Sequence, residues 1–180
     1  ECPLGEPATQ SVFAEGPVGP VLMVVGEQPG DKEDLVGRPF VGPAGKLFDR
    51  ALAELGWSRE KLYMTNAVKH FKYEPRGKRR MHKTPGQREV GACHHWLESE
   101  IELVQPRAYI ALGGTAARSL LGRPVAVMKE RGQWIEEAQT GRRVLLTLHP
   151  SALLRGDPLQ REAAWEAWLK DLSAASELMK

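Results

Sequence analysis

Cysteine is scarce in this chain of 180 residues, with only Cys2 and Cys93 present. At most one disulfide can form, which excludes a stapled framework and leaves the thiols as core residues or ligands. Long apolar runs are also missing: the longest, Val21 to Val25, stops at Gly26, far short of the roughly 18–20 residues that span a bilayer. An integral membrane protein is excluded on that pattern. The first ten residues, ECPLGEPATQ, lack the basic-then-apolar order of a secretory signal, so a cytoplasmic location is expected. Neither a Gly-x-Gly-x-x-Gly nor a Gly-x-x-x-x-Gly-Lys-Thr spacing occurs, which disfavours a nucleotide-cofactor site. Repeats and low-complexity tracts are absent. What is present is an ordinary globular balance, 42% hydrophobic and 27% charged residues, and a length suited to one domain over residues 1–180.

The net charge of +2 hides an asymmetry, because residues 69–83 (KHFKYEPRGKRRMHK) carry seven Lys or Arg against the single acid Glu74. Clustering of this kind is the footprint of a polyanionic partner, although a solvated basic loop looks the same in sequence. Four short apolar or β-branched runs, at 21–27, 62–68, 108–113 and 144–149, predict strands. They are continuous rather than alternating, as suits parallel strands covered on both faces. Between them Ala44, Leu47, Phe48, Ala51, Leu52 and Leu55 recur at helical spacing and stop at Gly56. Thr84, Pro85 and Gln87 predict an N-cap, N1 and N3 ahead of the stripe Val90, Cys93, Leu97, Ile101 and Val104. A short helix at 115–121 and a terminal one through Trp165, Trp168, Leu169 and Leu172 complete a β-α-β-α-β-α-β-α order. The expectation is a three-layer α/β/α sandwich around a central four-stranded parallel sheet, with ligands bound beyond the carboxyl ends of the strands.

Those ends carry Glu27 after the first strand, Asn66 after the second and His149 before Pro150 after the fourth, while Phe40 stands on the Gly- and Pro-rich segment 26–45. Singly, each has a plain structural explanation as a cap, a core plug or a turn residue. Together they place a carboxylate, an amide, an aromatic ring and an imidazole on one face, which is equipment for reading the edge of a heterocycle.

The segments GEQPGDKED with GRPFVGPAG, TNAVKH, KRRMHK and HPSALLR, in this order and spacing, resemble the uracil-DNA glycosylase superfamily, specifically its iron–sulfur members related to family 4 and, within those, the X-type (UdgX) subfamily. The resemblance spans nearly the whole chain. It implies that uracil is flipped out of DNA, that Phe40 stacks on it, that Asn66 bonds its Watson–Crick edge, and that His149 holds its carbonyl oxygen as charge develops, with help from backbone amides around Gln28. Glu27 would assist at the sugar, and His82, within a loop like the subfamily's signature, would attack the sugar carbon and leave a covalent protein–DNA adduct. Met81 departs from that signature, where isoleucine is common. Lys78, Arg79 and Arg80 would meet phosphates, and Ser151 and Arg155 would contact DNA beside the flipped nucleotide.

The resemblance further implies a 4Fe–4S cluster. Cys2 and Cys93 match two of its cysteine ligands, His70 stands where a third is usual, and the first would lie three residues before Cys2, in a natural N-terminus longer than this one. Zinc is the alternative metal, since the same side chains suit it. The partners implied are uracil-containing DNA, with single strands preferred, and free uracil; no membrane is involved, and a monomer is expected. Ordinary hydrolysis by a water directed by Glu27, and non-catalytic binding of uracil-DNA, are the rival readings.

Overall fold

The computed structural model describes residues 2–19 and 21–180. Five strands form the main sheet in the order β2-β1-β5-β7-β6: β1 (Leu22–Gly26), β2 (Leu62–Asn66), β5 (Ala108–Leu112) and β7 (Arg143–Thr147) run parallel, and the edge strand β6 (Trp134–Glu136) is antiparallel to β7. The four expected strands are therefore the parallel ones. The fifth gives no signal in the sequence, because WIE is three residues long and half exposed, too short to carry a periodicity.

Every residue of β1 is buried. Leu22 and Val24 face a core shared with Phe48, Leu52, Trp168 and Leu172, from α2 (Pro43–Leu55) and α7 (Arg161–Ser173). Met23 and Val25 face the opposite layer with Leu97, Ala117 and Leu120, from α3 (Gln87–Val104) and α4 (Gly114–Leu121). Burial on both faces is what makes the strand sequences unbroken in apolar character.

Two boundaries follow local chemistry. Helix α2 ends at Gly56, which takes φ 71 and donates its N–H to the last turn. Helix α3 starts two residues later than the Thr-Pro pair predicts: Gly86 is the N-cap, and its N–H donates to Glu89 Oε2 at 2.6 Å. The reason lies upstream, where Lys83 N–H still donates to Lys72 O, so Thr84 and Pro85 lead out of another element.

That element is a β-hairpin where the sequence reading has a loop. Strands β3 (Tyr73–Arg76) and β4 (Arg79–His82) pair antiparallel around Gly77, whose φ of 60 admits the tight turn. Inside the segment 26–45 lies a further helix, α1 (Asp31–Val36), and α6 (Pro150–Arg155) follows β7 with His149 as its N-cap. The small helix α5 (Val127–Glu130) packs near β7. Among the described residues, no helix is long and apolar enough to cross a membrane.

Candidate active site

Beyond the carboxyl ends of β1, β2 and β5 opens a cavity of about 860 Å³, lined among others by Glu27, Phe40, Asn66, His82, His149 and Arg155. Five segments far apart in sequence thus supply one site. Gly26 sets its width: a Cβ there would lie 2.5 Å from Asn66 Oδ1 and 2.8 Å from Phe40 Cζ, so a side chain would push the amide and the ring out of place. Phe40 takes a left-handed backbone, φ 52, which costs a non-glycine residue of order 1–3 kcal/mol. The turn brings its ring to 6.4 Å from the His149 ring, with planes at 27°. Gly45 permits it, since a Cβ would lie 2.1 Å from the Phe40 carbonyl oxygen.

His149 has a defined tautomer. Ser151 N–H donates to its Nδ1 at 3.2 Å, so Nδ1 is an acceptor and the neutral ring carries its proton on Nε2. The Ser151 hydroxyl lies 2.8 Å from the same nitrogen. Burial, with smaller contributions from His82 and Arg155, pushes the His149 pKa down to about 4. At neutral pH the ring is an uncharged N–H donor.

Glu27 and His82 face each other at the mouth, His82 Nε2 standing 3.6 Å from Glu27 Oε1. Thr115 at the start of α4 donates its hydroxyl to Glu27 Oε2 at 2.8 Å, which fixes the carboxylate and leaves Oε1 for His82. The segment GGTAAR signals Thr115 only by its position after a strand. Burial lowers the His82 pKa below the ordinary 6.5; Glu27 opposes the drop and Arg155 adds to it. A lowered pKa favours the neutral ring, which is lost only as pH falls through that lowered value. A reaction that uses neutral His82 is therefore expected to lose its rate only at a pH below that at which an unperturbed imidazole would. A rate profile that already falls between about pH 8 and 7 would contradict the assignment.

Gln28, expected to lend backbone amides to the ligand, and Arg80, expected at phosphates, both have side chains engaged inside the protein. The Gln28 side chain is buried, its Nε2 donating to Lys83 O at 3.1 Å and Lys72 O at 3.3 Å and its Oε1 accepting from Lys72 N–H at 3.1 Å. It clamps both feet of the hairpin, so only its main chain remains for a ligand. The Arg80 charge is matched within the protein. Its guanidinium pairs with Asp34 at 2.5 Å and Asp31 at 2.7 Å, and lies over Phe71 and Tyr73 at 5.2 and 5.1 Å. Asp34 is fully buried and also accepts from Thr9 N–H, so Arg80 answers a charge that would otherwise be stranded. Alternation along β4 puts Arg80 and His82 on the same face, and anchoring the one aims the other.

The basic run is likewise divided. Lys69 is buried, pairs with Glu100, and donates to Thr65 Oγ1 and Asn66 O, each at 2.6 Å; Lys72 pairs with Glu89. Arg76, Lys78, Arg79 and Lys83 are exposed and form no ion pair among the described residues.

Cys2, His70 and Cys93 also come together, with one ligand atom from each lying within 4.8 Å of the others. The His70 Nε2 is 2.7 Å from Ser11 Oγ, while its Nδ1 is buried and has no partner among the described residues. A buried nitrogen left so costs about 1–3 kcal/mol, and a metal ligated there removes the cost while Ser11 steadies the ring. Two thiols and an imidazole suit a cluster iron or zinc.

An open α/β/α sheet with a cleft of mixed apolar and polar lining at its carboxyl edge defines a ligand-binding scaffold of the doubly wound class. The chain belongs to the uracil-DNA glycosylase superfamily, whose family model matches residues 13–173. It is 41% identical over 155 residues to the type-4 uracil-DNA glycosylase of Thermotoga maritima, covering 86% of this chain and 77% of that one. To the type-4 uracil-DNA glycosylase of Pyrobaculum aerophilum it is 38% identical over 168 residues, covering 90% and 82%. The crystal structure of wild-type Pedobacter heparinus SMUG2 superposes with a TM-score of 0.61 at 11% identity, over 88% of this chain and 77% of that one, which is a likeness of fold.

Proposed function

We propose that this protein excises uracil from DNA and that His82 then captures the sugar. The observation that carries the reading is the 3.6 Å approach of His82 Nε2 to Glu27 Oε1 at the mouth of a cavity that also holds Phe40, Asn66 and His149. A flipped uracil stacks on Phe40. The Asn66 amide matches both the N3–H donor and the O4 acceptor of the ring, and the His149 Nε2–H meets the oxygen on which charge builds. As the glycosidic C1′–N1 bond breaks, its electron pair leaves with uracil and positive charge develops on the sugar, which the Glu27 carboxylate stabilises. With its proton on Nδ1, His82 gives the Nε2 lone pair to C1′, and the resulting imidazolium releases the Nδ1 proton to water. Lys78, Arg79, Arg76 and Lys83 supply phosphate contacts, with Ser151 and Arg155 at the cavity mouth.

A 4Fe–4S cluster on Cys2, His70 and Cys93 fits the donor set and the orphaned His70 nitrogen, and its contribution is structural cohesion. The protein acts as a monomer and prefers single strands.

A second reading, multiple-turnover hydrolysis, is favoured by the type-4 name of the relatives: a water held by Glu27 then takes the place of His82. One gel separates the readings. Incubation with a uracil-containing single-stranded oligonucleotide gives an SDS- and heat-resistant shifted band for capture, free abasic DNA for hydrolysis, and unchanged DNA for binding alone.

Base choice rests on Asn66. Asn66→Asp loses the donor to O4, and uracil release is expected to fall by roughly ten- to a hundredfold while discrimination against cytosine narrows. Parallel uracil and cytosine oligonucleotides check this; an unchanged uracil rate shows that the amide does not read the ring.

A further inference from the structure

The left-handed turn at Phe40 has to be held by something, and the space behind it is not solid protein. A second cavity, of about 650 Å³, lies on the far side of the Phe40–Val41 segment, bordered by Glu15, Arg38, Asp49 and Arg59. Into this gap reaches Arg59, from the short 3-10 turn Arg59–Lys61. Its Nη1 donates to Phe40 O at 2.9 Å and to Asp49 Oδ1 at 2.8 Å, and its Nη2 donates to Pro39 O at 2.8 Å. Two successive carbonyls are thus gripped by one planar fork, a geometry that lysine cannot reproduce. Asp49, on α2, keeps the fork turned towards the loop.

We propose that Arg59 is a positioning residue that sets the stacking surface for the flipped base by holding the main chain of Phe40. The proposal rests on the reading of Phe40 as the residue against which uracil stacks. Arg59 itself does not line the uracil cavity, so it acts only through the turn it holds. Its place in the chain gives this a second consequence. The turn at 59–61 leads straight into β2, whose last residue is Asn66, so one guanidinium references the ring to the strand that carries the base-reading amide. The opposite side of the loop is tied independently: Glu33 Oε2 accepts from Val41 N–H at 3.2 Å and Gly42 N–H at 2.6 Å. With Arg59 removed, that tie remains and the fold persists, but the Phe40 carbonyl is free to swing into the rear cavity.

The test is a double-mutant cycle on uracil release from single-stranded oligonucleotide. In Arg59→Met the half-saturating oligonucleotide concentration is expected to rise roughly ten- to a hundredfold, as for a lost charge-assisted contact, with the saturated rate within about threefold of the parent. The melting temperature should move by no more than about 4 °C. Arg59→Lys, which keeps the charge and loses the fork, should fall between the two. In a Phe40→Ala background Arg59→Met should change nothing further, because its route to the base is already gone. Effects that multiply in the double variant, or a loss confined to the saturated rate, overturn the proposal. If Arg59→Met fails to fold, the cycle run with Arg59→Lys decides by the same criterion. Parent and Phe40→Ala proteins that perform alike defeat the stacking assignment itself, a result visible without any Arg59 variant.

Discussion

His82→Ser is expected to abolish the SDS-resistant protein–DNA band, to below about one part in a thousand of the parent, while the protein still releases uracil. Loss on that scale follows from chemistry rather than packing. His82 is half exposed at the mouth, and its removal leaves Phe40, Asn66 and His149, the groups proposed to hold the base, in place. Serine offers no lone pair of comparable nucleophilicity at neutral pH, and the space it opens beside Glu27 admits water to the sugar cation. Abasic DNA should therefore replace the adduct, visible as strand cleavage after alkali. A His82→Ser protein that still crosslinks at the parental rate removes His82 from the chemistry and moves the nucleophile elsewhere in the cavity.

The other large effect is expected at the Cys2, His70 and Cys93 triad. Cys93→Ala should lose iron, the broad absorbance near roughly 400 nm and at least about 10 °C of thermal stability together. Cys93 is wholly buried and packs with Leu4, Val68 and Val90, so this triad joins the N-terminal segment, the stretch after β2 and helix α3. His70→Cys preserves the donor count and should keep both colour and most activity. Metal analysis of the parent protein purified without oxygen checks the premise; zinc, or no metal, removes the cluster from the account and leaves the DNA chemistry as it is.

How much of this was legible in the sequence depends on how far apart the interacting groups lie. The parallel strands declare themselves because both faces are buried, and α2 ends where Gly56 says it should. The hairpin does not declare itself: YEPR and RRMH contain no β-branched residue, and their pairing is enforced from outside by Gln28, Asp31 and Asp34. The same distance explains Arg80. Within KRRMH it is one more cation, and only the fold reveals an aspartate 46 positions upstream that claims it. The residues at the strand ends were legible since an open sheet puts its functional groups at one edge, whereas Thr115 and Arg59, which orient those groups, carry no pattern of their own.

The hairpin's register has an outcome for how the protein meets DNA. Arg76 sits directly opposite Arg79, with Lys78 in the turn between them, so three cations crowd a two-stranded tip that carries no acid of its own. Like charges across a strand pair repel, and a lone ribbon is marginal even without that burden. The tip is electrostatically frustrated, and a polyanion laid along it would relieve that repulsion. The far end of the ribbon, which Gln28 and Arg80 already hold in place, is His82.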